Sequence, residues 1–276
     1  MLNQISPVVI LNGALVNMDG DVAFVSPPVY EVIRVIDGTP LFFEGHTNRL
    51  FKSLELIGID HDLNPMILRT SIQTLVEETH IKDNNIRLEV GKNKEGTLVW
   101  ILFWVKSSYP EKIIYEQGVR TVTSQSTRDN PHAKIYRSDF TTMINNLKVE
   151  TGAYEVILVK NNGIITEGSR SNLFFIKGNT IYTAMACDVL MGITRQMLLD
   201  LIKTLSIEIL ELDIPQESLS SYDACFLTGT SIHILPISHI DEISYQSSQN
   251  PLIQKLQSAL KKIVLDDLEN TRRQLQ

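Results

Sequence analysis

The chain is poor in what secreted, membrane-spanning and nucleic-acid-binding proteins rely on. Only two cysteines, Cys187 and Cys225, occur in 276 residues; they cannot staple a small scaffold, and they suit a cytoplasmic protein with reduced thiols. No apolar run approaches the roughly 20 residues of a membrane-crossing helix, and the longest, "LVWILFWV" (Leu98 to Val105), reads as a fully buried strand. The N-terminus lacks the basic, apolar and small-residue succession of a signal peptide, so no leader is expected. The 25 Lys and Arg are scattered and outnumbered by 32 Asp and Glu, for a net charge of −7. No basic stripe with interleaved aromatics is available to hold nucleic acid. Familiar signatures are missing too: there is no G-x-G-x-x-G, no G-x-x-x-x-G-K-[ST] and no G-x-S-x-G. The six histidines and two cysteines have no paired ligand spacing, so no metal is expected.

What is present is ordinary globular material, 43% hydrophobic and 21% charged, without repeats or low-complexity tracts. At this length two domains are the natural expectation. "VVILNGALV" is a hairpin turning at Asn12-Gly13, and "VYEVIRVIDG" alternates along a strand before a second turn at Asp37-Gly38. From His46 to Ile57 the period changes, with Leu50, Phe51, Leu54 and Ile57 on a helical stripe closed by Gly58. Asn64-Pro65 starts another helix, followed by strands "NIRLEV" and "LVWILFWV".

Apolar density then falls, and "SQSTRDNPHAK" (Ser124 to Lys134) collects turn-forming residues. The expected organisation is an N-terminal α+β domain over 1–120, a connection over 121–133 and a C-terminal domain over 134–276. In the latter, Phe140, Met143, Ile144 and Leu147 form a helical stripe. Strands "YEVILVKNNG", "IITEG" and "NLFFIKGNTIYTA" follow, then a helix just after Gly192 and a last one from Pro251.

Two loops favour an anion. "GITR" (Gly192 to Arg195) opens an amphipathic helix whose free N–H groups and dipole attract negative charge, with Thr194 a natural N-cap. "FLTGTSIHILP" (Phe226 to Pro236) interrupts two apolar runs with small polar residues, as a backbone nest does. In "IITEGSRSNLFF", Glu167 puts a carboxylate between apolar segments, costly to bury unless donors or a cation satisfy it. Each of these, like Arg49, Lys134, Tyr30 and Arg170, has an ordinary reading when taken alone, as a cap, a turn, a strand aromatic or a surface charge.

In combination the blocks "VYEVIRVIDGTPLFFEGHTNRL", "GAYEVILVKNNGIITEGSRSNLFFIKGNTIYT", "VLMGITRQ" and "FLTGTSIHILPI" resemble the class IV aminotransferases. These are the fold-type IV pyridoxal-phosphate enzymes that include D-amino-acid and branched-chain aminotransferases and aminodeoxychorismate lyase. The resemblance implies an α+β, two-domain fold, with a smaller N-terminal α/β lobe and a larger, sheet-rich, barrel-like C-terminal lobe. It implies pyridoxal 5′-phosphate as cofactor, an amino acid and a 2-oxo acid as substrates, and a homodimer. Carried over residue by residue, it makes Lys134 the Schiff-base lysine. Lys134 stands 33 residues before Glu167, close to the family's spacing, whereas the competing Lys148 stands 19 before it. Glu167 would face the pyridine nitrogen; Arg49, Ile193, Thr194 and Thr230 would hold the phosphate; Tyr30 and Ser231 would meet the substrate.

The match departs at "AFVSPP" before the "VYE" strand, at "GKNKEG" after "IRLEVG", and at "IYRSDF" after Lys134. The second of these replaces basic residues that trap the α-carboxylate in D-amino-acid aminotransferases, with Arg87, Lys92 and Lys94 as available substitutes. Transamination is the expected activity. The alternatives are pyruvate elimination from an aminodeoxychorismate-like substrate, and a cofactor-binding homologue without turnover.

Overall fold

The computed structural model describes residues 4–18, 20–128 and 130–275; Asp129 of the polar connection and residues 1–3, 19 and 276 of the expected terminal domains lie outside them. Two compact units are found: Met1–Ser108 with Ala133–Arg137 and Val264–Gln276, and Tyr109–His132 with Ser138–Ile263. The composition of the sequence suggests a division at 1–120, 121–133 and 134–276. The drop in apolar density after Ser107 marks the change of unit, but Val119–Gln125 is a strand of the second unit, and Lys134 lies in a segment of the first.

The first unit is built on a six-stranded sheet. Its strands are β1 (Val8–Leu11), β2 (Ala14–Asn17), β3 (Val29–Ile36), β4 (Thr39–Pro40), β5 (Asn84–Lys92) and β6 (Leu98–Val105), in the order β2-β1-β6-β5-β3-β4. Both expected hairpins form. Asn12 and Gly13, like Asp37 and Gly38, have positive φ, as a two-residue turn between right-twisted strands requires. The strict alternation of β3 buries Val29, Glu31, Ile33 and Val35 on one face and sends Tyr30, Val32 and Arg34 to the other. Helices α1 (Phe43–Leu56) and α2 (Pro65–Thr79) bury Leu50, Leu54, Leu68, Ile72 and Leu75 with β3, β5 and β6 in one core. Helix α1 begins three residues before the expected His46. Phe42, in a left-handed conformation, gives its N–H to the carboxylate of Asp267, 225 residues away, so the helix start is capped from a distant part of the chain.

The second unit comprises α3 (Lys112–Gln117), β7 (Val119–Gln125), α4 (Ser138–Thr151), β8 (Glu155–Val159), β9 (Ile164–Gly168), β10 (Asn172–Lys177), β11 (Thr180–Thr183), α5 (Ile193–Thr204), β12 (Glu208–Glu211), β13 (Ile214–Pro215), β14 (Ala224–Gly229), β15 (His233–Ile240) and β16 (Ile243–Ser244). The final helix, α6 (Pro251–Leu275), contributes to it as far as Ile263. The strand order is β12-β11-β10-β14-β15-β7-β8-β9-β13, with β16 on β15. Strands β9 and β10 are far apart in that order, yet only residues 169–171 join them, so the sheet must curl to bring them side by side.

Curling gives the sheet two buried faces. Leu173 and Phe175 point into one core with Ile157, Ile165, Leu227 and Leu235; Phe174 and Ile176 point into another with Leu198, Ile202, Leu256 and Leu260. That is why "NLFF" is continuously apolar rather than alternating. Among the described residues, no helix is long and apolar enough to cross a membrane.

Candidate active site

Glu167 lies near the end of strand β9 and is 2% exposed. Its Oε2 accepts from the backbone N–H of Leu190 at 3.0 Å and from the side-chain amide of Asn172 at 3.2 Å. Its Oε1 lies 2.8 Å from Nε of Arg128. The Nε–H does not aim at that oxygen, so the contact is an ion pair without hydrogen-bond geometry. Arg128 also donates to the carbonyl of Ser169 and stacks over Phe140, 5.3 Å from the ring centre. A buried carboxylate satisfied in this way holds its negative charge ready for a cationic or proton-bearing partner.

A second buried carboxylate builds the turn that carries Glu167. Glu155 of β8 accepts from Oγ of Ser169 at 2.5 Å, Oγ of Ser171 at 3.0 Å, the N–H of Arg170 at 3.2 Å and the N–H of Val156 at 2.9 Å. The polar letters of "EGSRSN" are therefore largely donors to an anion beneath the turn. A Cβ on Gly168 would come within 2.1 Å of Oγ of Ser171, so the turn packs closely around glycine. Arg170 points outward and is exposed, with Nη2 bonded to Asn145, in line with its surface reading.

The start of α5 forms the other pole of this group. Thr194 is not the N-cap. Gly192 takes that position, because the first helical bond runs from the N–H of Gln196 to its carbonyl, and no side chain caps the helix. The first-turn amides, including those of Ile193 and Thr194, thus have no partner within the helix and face beyond its end. Ile193 and Thr194 are buried, and Arg195, wholly buried, anchors the turn to the carbonyl of Ala184 and to Glu211. Asn172 lies opposite Thr228 in the pairing of β10 with β14, and the hydroxyl of Thr228 is buried without a hydrogen bond. Thr230 and Ser231, both half-buried, occupy the turn that follows β14.

The first unit carries Lys134, Tyr30 and Arg49. The passage around Lys134 runs beside β3: its carbonyl accepts the N–H of Tyr30, its own N–H reaches Oγ of Ser53, and its Nζ lies 4.7 Å from the Tyr30 ring centre. Lys148 of α4 instead packs over Tyr154, with burial pulling its pKa down. Arg87 faces Val32 across the β3–β5 pair and leans onto its diagonal neighbour Tyr30, 4.0 Å from the ring centre, and onto Tyr136 at 4.8 Å. Its Nε is paired with Glu89 at 2.6 Å, while Nη2 is buried and makes no hydrogen bond.

On the other face of β3, Arg49 embraces Glu31 with two bonds of 2.7 Å, and Nδ1 of His46 closes on the same carboxylate at 2.8 Å. Burial alone would raise Glu31, but the charge and hydrogen bonds of Arg49, helped by His46, outweigh it and bring the pKa down to about 2. Burial lowers His46 against the pull of Glu31. Sequence reading missed Arg128, Asn172, Glu155, Tyr136, and the engagement of Arg49 by Glu31. Asn172, Glu155 and Glu31 had a signal, as polar residues in otherwise apolar strands.

Residues 28–240 match the family model for amino-transferase class IV, and the chain belongs to that family. Among curated relatives, the D-alanine aminotransferase of Bacillus licheniformis is 29% identical over 88% of this chain and 89% of its own. The aminodeoxychorismate lyase of Bacillus subtilis is 26% identical over 85% and 84%. Among solved structures, the branched-chain aminotransferase of the archaeon Thermoproteus uzoniensis with norvaline superposes with a TM-score of 0.83, at 24% identity over 96% of this chain and 96% of that one. The likeness extends to the fold-type IV architecture of both sheets.

Proposed function

We propose that the protein is a pyridoxal 5′-phosphate-dependent aminotransferase that moves an amino group between an amino acid and a 2-oxo acid. The observation that carries this reading is the buried Glu167 carboxylate, held by the N–H of Leu190, Asn172 and Arg128, in the same unit as the uncapped start of α5. A ring nitrogen that must keep a proton fits the first, and a phosphate fits the second together with Thr194, Thr228 and Thr230. The donor set thus suits this cofactor, which when bound supplies an electron sink for the substrate's α-carbon.

In that reading Lys134 is the amine that would hold the cofactor through its aldehyde and that, once freed by the incoming amino acid, would move the proton at the substrate's α-carbon. Glu167 holds the ring-nitrogen proton. Ile193, Thr194 and Thr230 bind the phosphate, with Arg49 contributing charge from within its pair with Glu31. Tyr30 and Ser231 flank the substrate. Of the three candidate carboxylate traps, Arg87 is favoured over Lys92 and Lys94. It is fixed between two aromatic rings on the same strand face as Tyr30, with a buried Nη2 that has a hydrogen to give. The unpaired Cys187 and Cys225 suit the reducing cytoplasm, and a homodimer is the assembly that the family resemblance implies.

Incubation with L- and D-amino acids while the bound cofactor's absorption is followed tests the activity. Conversion to the pyridoxamine form supports transamination. Pyruvate release from an aminodeoxychorismate-like compound without a keto acceptor would replace that reading with the lyase, and an unchanging spectrum in both assays with a binding protein. Lys134→Ala is expected to abolish covalent attachment. Arg87→Leu is expected to raise the substrate KM about tenfold or more, as loss of a charged hydrogen bond in a desolvated site does.

A further inference from the structure

One side chain touches both poles of the group in the second unit. Asn172, 4% exposed at the start of β10, spends the two hydrogens of its amide in two directions. One goes to Oε2 of Glu167 at 3.2 Å, the other to the carbonyl of Leu190 at 2.8 Å. Leu190 in turn gives its own N–H to Oε2 of Glu167, and its carbonyl also accepts, at 2.7 Å, the N–H of Gly192, the residue just before the first turn of α5. The remaining polar atom of Asn172, its Oδ1, lies against Gly192 so closely that a Cβ there would come within 2.1 Å. The glycine before "ITR" therefore answers to the shape of Asn172; its φ of −63° would admit other residues.

We propose that Asn172 is a positioning residue that sets Glu167 at a fixed offset from the first turn of α5. The inference rests on the reading of Glu167 as the partner of the cofactor's ring nitrogen and of the α5 start as its phosphate cradle. A rigid ligand with a nitrogen at one end and a phosphate at the other is recognised through that offset. An amide is suited to the task because it donates twice without adding charge beside a carboxylate. Its own position is fixed by the β10–β14 ladder, in which it faces Thr228.

The test is calorimetric binding to the full-length, cofactor-stripped protein. It compares pyridoxal 5′-phosphate with its 1-deaza analogue, in which carbon replaces the ring nitrogen. The ratio of the two dissociation constants isolates the Glu167 contact, because the aldehyde and phosphate contributions cancel. The wild type is expected to prefer the natural cofactor by about tenfold or more, the weight of one charged hydrogen bond in a buried site. Glu167→Leu should bring the ratio near unity, and Asn172→Ala should bring it to about threefold or less. A side chain that merely supports the fold would weaken both ligands alike and leave the ratio at its wild-type value, which overturns the proposal. Should Asn172→Ala not fold, Gly192→Ala displaces the amide through its new Cβ, and the same two outcomes apply. If instead Glu167→Leu leaves the ratio unchanged, it is the assignment of Glu167 that fails.

Discussion

At the scale of single residues, the Glu31, Arg49 and His46 cluster makes a pH-dependent statement about stability. The folded pKa of Glu31 lies at about 2 against an ordinary 4.5. Its contribution is therefore complete above 4.5 and is lost as the pH falls toward 2. The lowered pKa of His46 acts with the same sign, because the unfolded chain takes up a proton near 6.5 that the buried ring resists. Glu31→Gln is expected to cost about 3–5 kcal/mol at neutral pH by leaving Arg49 buried and uncompensated. In urea titrations, the gap between variant and wild type should narrow as pH drops below 4.5. A gap that stays constant down to about pH 3, well below the ordinary carboxylate range, would remove the charge pair as its cause. Tyr30, Arg49 and Glu167 were legible in the sequence because each sits in a recognisable block, and Lys134 because of its spacing to Glu167. Their partners were not, because Glu31 to Arg49 and Glu167 to Arg128 are joined by folding alone and share no local pattern.

At the scale of elements, the β9–β10 turn is tightly built. Gly168→Ala drives a methyl into Oγ of Ser171 and to 3.1 Å from Cγ of Glu155. Overpacking of this kind costs about 1–3 kcal/mol, a fall of several degrees in Tm for a chain of this size. Adding Ser171→Ala should recover part of that loss, so the two substitutions combine less than additively. Strict additivity in calorimetry would place the strain elsewhere. Hairpin turns, strand alternation and the start of α5 were legible because Asn-Gly, Asp-Gly and the change of period are local chemistry. The start of α1 was misplaced by three residues because its cap, Asp267, comes from the other end of the chain.

At the scale of the molecule, composition reports where loops run and says nothing of which strands pair. Strand β7 belongs to the second unit through parallel pairing with β8 and β15, a long-range relation. The first unit likewise recruits residues 133–137 and 264–276. Asp267→Ala should cost about 1 kcal/mol by uncapping α1, measurable as a lower urea midpoint with unchanged slope. Arg272, bonded to Asp37 and Thr39, adds a second tie from the same stretch. The recruitment also sets an order of events during synthesis. Translation supplies the beginning of the first unit before the second, yet the first lacks its last pieces until α6 has left the ribosome, so of the two units the one begun first is completed last.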